Sequence, residues 1–222
     1  MKEYIVKSLQ EVKMHPLRLY NIPVNALSLF TNNINFGDVL KKIEQRVPER
    51  LTNNVDVIYI ADLPDFRSKS FNALYKDGAI YISPDQDNEA DLLDDIIHEI
   101  AHSLEREHQN LIYGDGNLER EFLGKRRTLY YLLDNPTLGM LDYNNADYTA
   151  KFDDHMYNDI GYDNLRMITS GLFYSPYAIT SLREYWANGF ENYLLGDRAK
   201  LKDLSPVLYN KVDELIENNE DY

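Results

Sequence analysis

Asp91–Glu107 reads DLLDDIIHEIAHSLERE, and the five residues at its centre, His98-Glu99-Ile100-Ala101-His102, follow the pattern H-E-x-x-H. On a helix, residues four apart stand on one face a turn apart, so both histidines can reach one metal ion. Zn²⁺ suits them best, because it takes imidazole ligands in a compact tetrahedral site with one position left open. Glu99 projects beside them, where it can take a proton from an attacking water. Leu92, Leu93, Ile96, Ile97, Ile100, Ala101 and Leu104 form a wide apolar stripe at helical spacing, which predicts a buried helix. The bland reading of the same residues is a pair of core or surface histidines on an ordinary helix.

Outward from this stretch, the 222 residues suit one domain of two lobes: about 1–108 with a sheet and the histidine helix, and about 109–222 mostly helical. The expected fold class is α+β, a small mixed sheet with an antiparallel edge strand packed on the histidine helix. A net charge of -14 argues against nucleic acid or an anionic membrane as partner and fits a neutral or basic peptide. The absence of cysteine removes disulfides, thiolate metal sites and cysteine nucleophiles. No apolar run is long enough to cross a membrane, and the first twenty residues lack the apolar centre of a signal peptide. The expectation is a chain kept inside a cell or exported without a visible leader.

Upstream, Tyr4-Ile5-Val6 can start a strand, Phe36–Val47 has helical spacing, and Val55–Ile60 (VDVIYI) reads as a strand. Phe71–Tyr75 and Ala79–Ile82 flank Lys76-Asp77-Gly78, where Asp-Gly signals a tight hairpin. The order helix, strand, hairpin and then the H-E-x-x-H helix resembles that of zincin-type metallopeptidases. That resemblance implies that an extended peptide adds along Ala79–Ile82 as the strand bordering a cleft. Downstream, Leu118–Leu133, Tyr162–Leu172, Ser181–Leu195 and a segment from Pro206 carry helical spacing, and Leu141–Gly161 reads as loop or short helical turns.

A catalytic zinc usually has three protein ligands, and two candidates compete for the third place. His108 lies ten residues after His98, the place of the last histidine in H-E-x-x-H-x-x-G-x-x-H. Glu105 occupies that pattern's glycine position, however, and suits a left-handed turn poorly. Glu184, on a later helix, is the other candidate. Ser181-Leu182-Arg183-Glu184 is also a capping-box pattern, so spacing alone leaves Glu184 open between ligand and cap.

Tyr177, followed seven residues later by Glu184-Tyr185-Trp186-Ala187-Asn188-Gly189-Phe190, resembles the lethal-factor-like metallopeptidases, the group of the anthrax lethal factor catalytic domain and the Pro-Pro endopeptidases. The resemblance covers the histidine helix and about Tyr174–Leu195. It implies a zincin-like fold and a zinc endopeptidase, with His98, His102 and Glu184 as ligands, Glu99 as general base and Tyr177 as donor to the oxyanion. Asn188 departs from the pattern, since the family has a second glutamate there; Glu191 or Asp94 is a substitute acid. The alternatives are a metzincin-type peptidase with His108 as third ligand and a zincin-fold binding module without turnover. His15 and His155 read as surface or loop residues, Trp186 as core, and Asp153-Asp154 with Asp159 as a solvated face.

Overall fold

A computed structural model of the chain describes residues 17–64, 66, 71–133 and 136–217. Strand and histidine expectations at Tyr4–Val6 and His15 lie outside them. The fold is mixed α+β, and the chain divides into two compact units, Met1–Ser103 and Leu104–Tyr222.

The first unit holds a five-stranded mixed sheet: β1 (Arg18–Leu19), β2 (Ile22–Ala26), β3 (Val57–Ile60), β4 (Ala73–Lys76) and β5 (Ala79–Ile82), in the order β1-β2-β3-β5-β4. β2, β3 and β5 run parallel, while β1 and β4 are antiparallel to their neighbours. Pro23 is tolerated in β2 because pairing with β3 begins only at Val24, so no bond awaits its missing N–H on that side. Asp77 and Gly78 both take positive φ, 51° and 82°, as the tight turn between β4 and β5 requires.

One expectation is overturned here. Ala79–Ile82 is an interior strand, hydrogen-bonded to β3 on one side and β4 on the other, so no peptide can add along it. The antiparallel edge is β4. The hairpin folds back so that its first strand, not its second, ends the sheet.

Helix α1 (Phe36–Glu44) buries Phe36, Val39, Leu40 and Ile43, and the Asn35 side chain caps it by accepting the Asp38 N–H. Helix α2 (Glu89–Leu104) is the predicted histidine helix. Asn88 starts it, its Oδ1 accepting from Ala90 N and Asp91 N at 2.8 and 3.0 Å. Leu92, Ile96, Ile97, Ile100, Ala101 and Leu104 are all fully buried, which confirms the stripe.

The second unit is helical: α3 (Gln109–Tyr113), α4 (Asn117–Leu132), α5 (Met140–Tyr143), α6 (Ala150–Asp154), a π-helical turn (His155–Ile160), α7 (Tyr162–Thr169), a 3₁₀ turn (Tyr177–Ile179), α8 (Leu182–Leu195), α9 (Arg198–Leu204) and α10 (Pro206–Glu217). α8 and α10 meet at Gly189, where a Cβ would fall 2.3 Å from Leu208 Cδ2; only glycine allows that approach. Trp186 is fully buried in α8, as core. Two cations on α4 are also inside. Lys125 Nζ donates to Leu172 O, Leu204 O and Ser205 Oγ at 2.6–2.7 Å. Arg126, fully buried, reaches the carbonyls of Asp142 and Asn145. Carbonyl and hydroxyl oxygens around the two charges make such burial tolerable, although Arg126 Nε itself meets no acceptor among the described residues.

Candidate metal centre

His98 and His102 project from one face of α2, half-buried, with ring centroids 5.0 Å apart. The ligand atoms of His98, Glu99 and His102 all lie within 4.8 Å of one another. Among the described residues this is the one such group of three or more histidines and carboxylates. The stripe beneath explains it: burial of Ile97, Ile100 and Ala101 fixes the rotation of α2 and turns the histidine face away from the core. Two imidazoles one turn apart are donors of the type and spacing that zinc takes, one fewer than the three protein ligands of a catalytic site.

Glu99 is only 8% exposed. Its Oε2 accepts the backbone N–H of Tyr75, on edge strand β4, at 2.5 Å. The carboxylate is thereby held at a fixed orientation. Sequence reading missed this contact, and no side-chain signal could have revealed it, because the donor is backbone. Tyr75 is further anchored by its hydroxyl, which donates to Asn54 O at 3.0 Å.

Tyr177 and Glu184 lie in the second unit. Tyr177 opens the 3₁₀ turn and is 42% exposed. Glu184 is in the first turn of α8, half-buried, its N–H bound to Ser181 Oγ at 3.2 Å. Half of the capping arrangement is therefore present, made by the serine side chain and the glutamate backbone. Glu184 raises the pKa of two nearby phenols, Tyr113 and Tyr148, although burial is the larger cause in each.

After α2 ends at Leu104 the chain continues in a helical turn, with His108 N bonded to Leu104 O at 3.0 Å. Glu105 does not take positive φ, so the reversal that would return His108 toward the histidine pair is not formed. Asn188 is buried at 6%, and its carbonyl accepts from Asn192 Nδ2 at 2.8 Å.

The histidine left over from the sequence reading needs correction. His155 is not a surface residue: it is 3% exposed, with Nδ1 2.7 Å from Asp159 Oδ2 and Nε2 3.1 Å from Tyr143 Oη. Asp159 accordingly is not merely solvated. Thr137 Oγ1 also donates to its Oδ2, at 2.7 Å.

Comparison of the chain with protein-family models, curated proteins and solved structures gives no match.

Proposed function

We propose that this chain is a zincin-like, zinc-dependent endopeptidase of the lethal-factor-like kind. The observation that carries the reading is the His98–Glu99–His102 group on one buried helix, with its glutamate fixed by an edge strand. His98 and His102 would hold the ion. Glu184 would be the third ligand by the spacing of the Tyr177–Glu184 pattern, and the right-handed backbone at Glu105 speaks against His108 in that place. When bound, zinc would polarise the scissile carbonyl and lower the pKa of a water.

The chain's own residues supply the rest. Glu99 Oε1 takes the proton of the attacking water and passes it to the leaving amine, while Tyr75 N–H keeps the carboxylate aimed. The Tyr177 hydroxyl donates to the oxygen on which charge develops. A peptide would run extended along β4, not β5. Strand alternation leaves the backbone groups of Ala73 and the carbonyl of Tyr75 pointing away from β5, the Tyr75 N–H being held by Glu99.

The test pairs metal content with cleavage of a peptide library. Wild type should hold one zinc and cut; Glu99→Gln should hold zinc and lose turnover. Tyr177→Phe should retain zinc and lose about 10²–10³-fold in rate. Glu184→Gln should lose zinc while keeping the helix start intact. A wild-type protein that takes up no zinc, or that holds zinc and cleaves nothing, ends the endopeptidase reading.

A further inference from the structure

The first turn of α8 is anchored at three successive residues. Ser181 Oγ accepts the Glu184 N–H at 3.2 Å, Leu182 N donates to Ala146 O at 2.8 Å, and Arg183 Nε donates to Glu105 Oε2 at 2.7 Å. The last of these is not an ordinary surface pair. Glu105 is only 12% exposed, against 64% for Arg183, so the bond is made to a largely desolvated carboxylate. Tyr113 stands behind it. Burial and then the Glu105 carboxylate raise the pKa of its hydroxyl. The guanidinium paired with Glu105 belongs to the residue next to Glu184.

A carboxylate ligand must be aimed to within a fraction of an ångström, and one projecting from a helix's first turn inherits whatever fraying that turn has. Removing Arg183 would free the turn at one of its three anchors. We propose that Arg183, through its ion pair with Glu105, is a positioning residue for Glu184: it fixes the backbone from which the ligand projects. This rests on Glu184 serving as a metal ligand.

Zinc affinity measured by chelator competition tests it, with the melting temperature of the metal-free protein as the control for folding. Arg183→Leu should weaken zinc by about 10–100-fold, as loss of a residue supporting a metal ligand does, beyond any fall in metal-free melting. Arg183→Lys should retain most of the affinity. Glu105→Leu removes the pair from its other end and should give the same loss, which keeps the test open if Arg183→Leu does not fold. A pair that serves only the fold would lower metal-free melting and leave zinc affinity as in wild type; that result overturns the proposal. If Glu184→Ala binds zinc as wild type does, Glu184 is no ligand, and the proposal falls with that assignment through a different variant.

Discussion

His155 is almost fully buried, and both of its ring nitrogens are engaged, one by a carboxylate and one by a phenol. Nδ1 lies 2.7 Å from Asp159 Oδ2 and 2.9 Å from Thr137 Oγ1, and Nε2 lies 3.1 Å from the Tyr143 hydroxyl. Asp159 is held below its usual pKa, first by the bond from His155 and then by that from Thr137. A carboxylate whose folded pKa is depressed adds stability above its unfolded value of about 3.9, and that stability is lost as pH falls through the folded value. Replacing His155 with glutamine should therefore raise the Asp159 titration toward the ordinary range, read by NMR of the carboxyl carbon; an unmoved titration would deny the bond its role. Little of this was legible in the sequence. An isolated histidine in a polar stretch carries no periodic signal from which its burial could be read. His98 and His102 were legible because a helix alone fixes their spacing.

The elements divide along the same line. Helices with a continuous apolar stripe, such as α2 and α8, stand where the spacing placed them, because burial of the stripe decides both existence and rotation. α9 (Arg198–Leu204) was missed: seven residues with few apolar positions give no stripe, and the Asp197 cap, accepting from Ala199 N and Lys200 N, carries its start. β2 was obscured by Pro23. α10 depends on a partner distant in sequence. Glu121, from α4, accepts the N–H groups of Val207 and Leu208 at 2.8 and 3.1 Å and the Tyr185 hydroxyl at 2.9 Å, satisfying the helix start that a local cap would serve. Glu121→Ala should cost about 1.5–3 kcal/mol in chemical denaturation, the range for hydrogen bonds to a charged group. A loss within experimental error would mean that Pro206 and the Ser205 turn suffice to start α10.

At the scale of the molecule, a metal that binds only the folded chain must stabilise it. With free zinc at a hundred times its dissociation constant, the gain is about 2.7 kcal/mol. Wild type should melt higher with zinc than with a chelator, and the His98→Ala/His102→Ala double variant should melt alike in both. Equal shifts in the two proteins would place the metal elsewhere on a chain of net charge -14, which offers many weak acidic sites. The mixed α+β class was legible from the chain as a whole. The order of strands was not. A hairpin's sequence fixes which two strands pair but not which of them reaches a neighbour, so β5 and β4 were exchanged at the edge. Among the described residues, no helix is long and apolar enough to cross a membrane.

The bond between Glu99 and Tyr75 N–H also governs how the protein behaves toward its own copies. A sheet edge with open N–H groups is a template for another chain, and β4 is such an edge, four residues long and bearing Leu74 and Tyr75. One of its outward donors is already taken by Glu99. An alanine at position 99 would uncover this donor, so that variant should self-associate more readily at high concentration. Glutamine, whose amide oxygen can accept the same bond, should stay monodisperse in light scattering. If the alanine and glutamine variants scatter identically, the edge is guarded by something other than Glu99.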